Sequence, residues 1–418
     1  MNFLNKISVD LKYFISGSFY TGLSSIAGLL VPLLVVPYLL HKVGLSNYGI
    51  SAVAFSISFF FSMIVDYGFI ITGVNKLSKI ENDSKVSCII NNIIYTKIFI
   101  FLLMLPLFLV GYYFTITKNL EWDVFLFSLC IPLSSIVNLS WALQGLHQIK
   151  AWSILTIVGQ IFYISLIFVF INEPSDVYKI NLFYGFGVLL TGFLSIVFLK
   201  KKYHLKFNKV NLRSIFLELK DGYHFFLSNI GNYVSLYFLS PLIGFLLSYE
   251  MAGIYSIIEK IYNLARKPFV IYQSFMLPKI SQQIQIDKNI AKQTIKNTYI
   301  FVIIFMIIEI IFLVFFKTNV ISFFTDQNLI ILERMLLFSI VGISIVIINC
   351  PFALYLMALN KKKEMMKISL LAPVFGIIIG LILISKFGII GSIYTLVFIE
   401  SFFAIYLLIV YKNLNPVR

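Results

Sequence analysis

Charge is what this chain has least of. Asp, Glu, Lys and Arg make up 12% of its 418 residues, against about 25% in soluble domains. Acids are the scarcer half, with 18 Asp and Glu against 33 Lys and Arg. A soluble globular domain is excluded. Cysteine is sparse as well. Cys88, Cys130 and Cys350 stand too far apart for a disulfide framework or a thiolate metal site, so they are read as structural and no cofactor is expected. No G-x-x-x-x-G-K-[ST] loop occurs, which excludes an ATP-driven pump built on that phosphate cradle. Long outer loops are missing too. The longest on the expected outer side, 317–328, holds little beyond Asp326. A membrane polymerase or glycosyltransferase needs convergent acidic and basic residues there, so the chain is not read as an enzyme.

Apolar residues fill the gap. They make up 60% of the chain, aromatics 17%, and the mean hydropathy is +0.94. This is an integral membrane protein. Residues Phe3, Leu4, Ile7, Leu11 and Phe14, around Lys6 and Lys12, suit an interfacial lead-in helix. The apolar segment behind them lacks a small-residue cleavage site.

Twelve apolar segments can be marked, at 14–40, 48–73, 88–114, 124–146, 151–171, 178–199, 223–248, 252–278, 297–316, 329–358, 365–385 and 388–411. Each is long enough to cross a hydrocarbon core that needs ~20 residues. The net charge of +15 would suggest nucleic acid in a soluble protein. Here its distribution argues for topology instead, and no nucleic-acid partner is expected. One set of alternate connections holds only Lys42, Lys118, Lys179, Lys317, Arg334 and Lys386. The other set holds most of the rest, including Lys76, Lys79, Lys85 and Lys97, the run Lys200–Lys202, and Lys361–Lys363. This bias places both termini in the cytoplasm.

The basic stretch 200–221 divides six segments from six, giving expected bundles at 1–199 and 222–418. With a shift of 205, Ser51, Val65 and Tyr67 fall on Ser256, Val270 and Tyr272, a weak sign of duplication.

One segment carries a polar stripe. Ser256, Glu259, Asn263, Arg266 and Gln273, with Lys260 and Lys267 beside them, fall within roughly 140° of one helical face. The apolar run after Pro268 reaches only from Phe269 to Leu277, too short to span alone. The membrane helix therefore starts near 252, and Arg266 and Lys267 lie near mid-depth. A central Lys or Arg costs about 2.5–3.5 kcal/mol on insertion scales, so such residues face a watery cavity or a partner. Glu259 and Asn263, about two turns and one turn nearer the outside, are expected to hold Arg266. Lys260 either joins the cavity or snorkels outward beside Glu259. Three acids, Asp66, Glu309 and Glu400, lie in apolar spans and are candidates to bind a coupling H+ or Na+. The alternatives are a structural contact for Glu309 and Glu400, and pairing with a lysine such as Lys76 for Asp66. Most prolines are read as shape, while Pro268 is a candidate for bending a gate.

The chain resembles the bacterial polysaccharide flippases. These are lipid-linked oligosaccharide exporters of the superfamily that includes the multidrug-and-toxin extruders and the lipid II flippase. The matching residues are PYLLHKVGLSNYG (37–49), DYGF (66–69), WALQGLHQIK (141–150), GIYS (253–256) and LPKIS (277–281). The resemblance implies an all-α, MATE-like membrane fold of about twelve helices, with two six-helix bundles around a central cavity. It implies location in the bacterial inner membrane. It also implies a substrate of undecaprenyl-pyrophosphate-linked oligosaccharide, an O-antigen or capsule repeat unit, moved from the cytoplasmic to the outer leaflet by alternating access. Relatives carry basic residues in the cavity, and Arg266 and Lys267 fit that role. Guanidinium matches phosphate oxygens and ammonium adds a point charge, while Tyr255 and Tyr262 are candidates to stack on sugar rings. A polysaccharide polymerase is a candidate partner that no linear motif reports. The rival within the same fold is a small-molecule or drug antiporter, which would line its cavity with acids and aromatics.

Overall fold

The computed structural model describes residues 2–80, 83–116 and 122–414, without the side chains of 2–19, 83, 84, 109, 111–116, 228, 232, 274, 362 and 414. The described residues are helical nearly throughout and form no strand. The helices are α1 (Asn2–Val43), α2 (Leu45–Asp66), α3 (Phe69–Leu77), α4 (Asp83–Ile116), α5 (Trp122–Ser128), α6 (Cys130–Val137), α7 (Ser140–Gly145), α8 (Ile149–Phe170) and α9 (Val177–Tyr203). They continue as α10 (Leu212–Tyr237), α11 (Leu239–Leu246), α12 (Tyr249–Ile286), α13 (Lys288–Phe315), α14 (Lys317–Ser322), α15 (Leu329–Ala358), α16 (Lys362–Phe387) and α17 (Ile389–Leu414).

Each of the twelve apolar segments lands on one of these helices or on a run of two or three. Among the described residues, ten helical stretches are long and apolar enough to cross a membrane on those grounds alone. The segments outside that set are 223–248 and 252–278. The first holds no Asp, Glu, Lys or Arg but is broken at Phe238, between α10 and α11. The second, α12, carries Glu250, Glu259, Lys260, Arg266, Lys267 and Lys279. The chain is an all-α integral membrane protein.

Two helix breaks, at Leu129 and Phe238, fall one turn before Pro132 and Pro241, but most prolines break nothing. Pro32 and Pro37 in α1, Pro106 in α4, Pro268 and Pro278 in α12, Pro351 in α15 and Pro373 in α16 all lie inside helices that run on past them. Pro268 therefore does not end its helix. The break between α2 and α3 comes instead at Tyr67 and Gly68, with φ of 43° and 80°. Glycine enters the left-handed region freely, whereas tyrosine there is strained and needs support. The Tyr67 ring gets it by stacking on Phe226, centroid to centroid 4.6 Å.

The chain forms two compact units, residues 1–44 with 54–226, and residues 45–53 with 227–418. The first is centred on Trp141, packed with Phe69, Leu77, Ile90, Ile93, Leu139, Leu143 and Leu199. A Cβ on Gly73 would collide with the Trp141 ring, so α3 and α7 meet where a side chain has no room. Small residues also let α8 and α9 cross, with Gly159 against Gly187 and Thr191.

In the second unit α12, α15 and α17 pack together, with α16 against α17. Residues 45–53 join this unit through another close crossing. A Cβ on Gly49 would run into the Tyr249 carbonyl oxygen, and one on Gly253 into that of Leu45. The Ser256 hydroxyl donates to the Tyr48 hydroxyl at 3.1 Å beside it. Gly49→Val is therefore expected to destabilise by more than the ~1–3 kcal/mol of an ordinary overpacked site. The check is the melting temperature of the purified protein in detergent. An unchanged value would mean that the two helices part without cost.

Candidate functional site

The α12 helix begins at Ser248, whose hydroxyl accepts from the Met251 N–H. Ile258, Ile261, Tyr262, Ala265, Phe269, Met276 and Ile280 form its buried stripe, at the 3.6-residue spacing that seats a helix on neighbours. The polar residues divide around this stripe. Ser256 and Glu259 are buried, Lys260, Arg266, Lys267 and Gln273 are half-buried, and Asn263 is exposed.

Arg266 reaches across to α17. Its Nη1 lies 3.0 Å from Glu400 Oε1, and the Tyr262 hydroxyl donates to the same oxygen at 3.0 Å. The guanidinium carbon also sits 5.3 Å from the Tyr262 ring centre, within cation–π range. The carboxylate that holds Arg266 is thus Glu400, in place of the expected Glu259 and Asn263. Glu259 instead pairs with Lys260 at 3.5 Å. Among the described residues Lys267 makes no ion pair. Tyr255 and Tyr262, expected beside sugar rings, are 2% and 3% exposed. Both point into the helix packing, where their rings are covered. Gln273 donates to the Cys350 carbonyl at 3.2 Å, tying α12 to α15.

The other acids have separate surroundings. Asp66 is the last residue of α2 and pairs with Lys97 of α4 at 2.7 Å. Lys97 also donates to the Ser135 carbonyl of α6 at 2.9 Å and is among the most buried side chains, 1% exposed. Lys97 therefore does not belong with the loop lysines, where the charge pattern had counted it. Its partner is Asp66, whereas Lys76 is held by Glu218 at 2.7 Å and Asp221 at 2.9 Å. The signal for Lys97 was available, because a lysine inside an apolar span demands a partner. Glu309 lies in α13, and its Oε2 is buried without a hydrogen-bond partner. Among the described residues no cluster of His, Cys, Asp and Glu is arranged to hold a metal.

A guanidinium paired with Glu400 and an ammonium without an ion pair among the described residues thus sit on consecutive residues of α12.

Comparison with known proteins gives these residues a family. Residues 14–284 match the model of a family described as polysaccharide biosynthesis protein. A protein named for O-antigen transport in Escherichia coli (strain K12) is 24% identical over 62% of this chain and 63% of its own length. Its namesake in Shigella dysenteriae is 23% identical over 60% and 62%. The chain thus spans less than two thirds of either relative. Among solved structures, a lipid II flippase, MurJ, in an inward closed conformation aligns with TM-score 0.71 at 19% identity, covering 95% of this chain and 87% of that one. An inward-facing multidrug resistance MATE family transporter of the MOP superfamily aligns with TM-score 0.71 at 11% identity, covering 91% and 92%. The fold is MATE-like.

Proposed function

Because this chain belongs to the polysaccharide biosynthesis protein family, we propose that it is a flippase for lipid-linked oligosaccharide in the bacterial inner membrane. The substrate in this reading is an oligosaccharide repeat unit on undecaprenyl pyrophosphate. It moves from the cytoplasmic to the outer leaflet, with both termini of the chain on the cytoplasmic side. A pyrophosphate-linked sugar cannot cross hydrocarbon unaided, because its charges and hydroxyls would lose their water. The protein supplies a polar path while the polyprenyl tail stays in lipid.

The observation that carries this reading is the Arg266–Lys267 pair, half-buried on α12. Arg266 offers a planar fork to phosphate oxygens and Lys267 an ammonium without an ion pair. Asn263 and Lys260, on the same side of the helix, extend the polar surface outward, with Glu259 neutralising Lys260. In this scheme the halves 1–199 and 222–418, joined by the basic stretch 200–221, open in turn to the two sides of the membrane.

Energy for directional movement is assigned to an ion gradient. Asp66 and Glu400 are occupied by cationic partners, whereas Glu309 Oε2 is buried without one. A carboxylate in that position is costly unless a proton or sodium ion joins it. Glu309 is therefore the coupling residue of choice.

A small-molecule antiporter is the second reading, favoured by the MATE likeness of the fold. A half-buried Arg–Lys pair is a poor host for cationic drugs, and the flippase reading is preferred on that ground. The test is the sidedness of lipid-linked oligosaccharide in cells that lack redundant flippases. Loss of the chain is expected to trap complete repeat units on the cytoplasmic leaflet. Cells carrying Arg266→Ala with Lys267→Ala are expected to show the same trapping at normal protein abundance. Normal sidedness in both would sink the flippase reading.

A further inference from the structure

The headgroup site contains an anion of its own. Glu400 Oε1 meets Arg266 Nη1 at 3.0 Å and the Tyr262 hydroxyl at 3.0 Å. One oxygen therefore takes both interactions, and Arg266 is gripped through one nitrogen. This is weaker than the two-point fork that carboxylates and phosphates make with arginine when unconstrained. The side chains also differ in access. Arg266 is 26% exposed and Glu400 15%, so the arginine side chain is the more accessible partner.

A pair built only to hold α12 and α17 together needs no access from outside. Here the Arg266 side chain keeps 26% of its surface exposed while it is paired with Glu400. Lys267, the next residue, adds positive charge and makes no ion pair among the described residues. From this geometry we infer that Glu400 is a resident counter-anion, a positioning residue that neutralises Arg266 in the empty site and yields it to substrate phosphate. Tyr262, buried on α12, retains the displaced carboxylate through its hydroxyl. The inference rests on the reading of Arg266 as a headgroup ligand and names what regulates that ligand.

The exchange has a kinetic purpose. Two cations in a low-dielectric site hold a pyrophosphate tightly, and a carrier that binds too tightly does not release. With Glu400 in place, phosphate gains only the difference between its own contacts and those of the carboxylate it replaces. On release the carboxylate returns, and Arg266 is never left as a bare charge in the membrane.

Binding of farnesyl pyrophosphate to the purified full-length protein in lipid nanodiscs tests this. Glu400→Gln keeps the shape and the Tyr262 bond but removes the competing charge, so affinity is expected to rise about tenfold or more. Arg266→Gln is expected to lower it about tenfold. In the double variant the gain from Glu400→Gln is expected to vanish, because no arginine remains to be released. Tyr262→Phe leaves both charges and loosens Glu400, and a smaller rise is expected. It serves as well if Glu400→Gln accumulates poorly.

The outcomes separate two failures. If Arg266→Gln loses affinity but neither Glu400→Gln nor Tyr262→Phe gains any, the counter-anion is wrong and the headgroup reading stands. If the wild type does not bind the probe, or Arg266→Gln binds it equally well, the headgroup reading fails and takes the counter-anion with it.

Discussion

Replacing Lys97 by methionine is expected to remove most of the folded protein from the membrane, and adding Asp66→Asn to bring most of it back. Lys97 is 1% exposed and holds Asp66 Oδ1 at 2.7 Å and the Ser135 carbonyl at 2.9 Å. It thereby ties α4 to the end of α2 and to α6, beside the break at Tyr67 and Gly68. Methionine fills much the same volume, so the packing loss is small and the electrical loss dominates. Removing Lys97 leaves the Asp66 carboxylate, 26% exposed, without its cation, at a cost of up to about 3–5 kcal/mol, the figure for a fully buried pair. A folded domain holds only about 5–15 kcal/mol in all. Removing both charges takes away the penalty, which is why the double variant recovers. Immunoblots of the membrane fraction and thermal unfolding in detergent supply the measurement. Wild-type abundance for the single Lys97→Met variant would mean that the pair holds nothing together.

The second large effect concerns the pair on α12 and α17. Arg266→Glu alone sets two acids against each other, and little folded protein is expected. Exchanging the charges, Arg266→Glu with Glu400→Arg, restores the attraction and is expected to restore abundance. Transport is not expected to return. The exchange moves the guanidinium to the less exposed partner and puts a carboxylate where the phosphate arrives. The guanidinium then sits across the pair, displaced by about the 3.0 Å that separates the two partners. A charge-exchanged protein that transports normally would make Arg266–Glu400 a scaffold and send the search for the headgroup site elsewhere.

The twelve apolar segments were legible as helices because hydropathy is a property of contiguous residues. The partner of Arg266 was not. Helical periodicity relates residues on one helix, so it offered Glu259 and Asn263, whereas Glu400 arrives from the last helix through packing. Lys97 was misplaced among loop charges because a count by connection overlooks a lysine inside its own apolar span. The break after Asp66 was hidden for a local reason. Prolines are the usual signal for a break, yet α1, α4, α12, α15 and α16 absorb theirs, while the chain turns at Tyr67 and Gly68. Tyrosine at positive φ is a tertiary outcome, stabilised by Phe226, and no propensity announces it.

The failure of α12 to qualify as an apolar span has a consequence for biogenesis. The carboxylate that neutralises Arg266 is synthesised late, since Tyr262 and Glu400 are 138 residues apart. At about 5–20 residues per second, Glu400 leaves the ribosome roughly 7 to 28 s after α12. Asp66 and Lys97 are 31 residues apart, and their interval is roughly 2 to 6 s at the same pace. The first unit can therefore settle its buried charges early in synthesis. In the second, the arginine of α12 has no Glu400 to neutralise it until the final helix arrives.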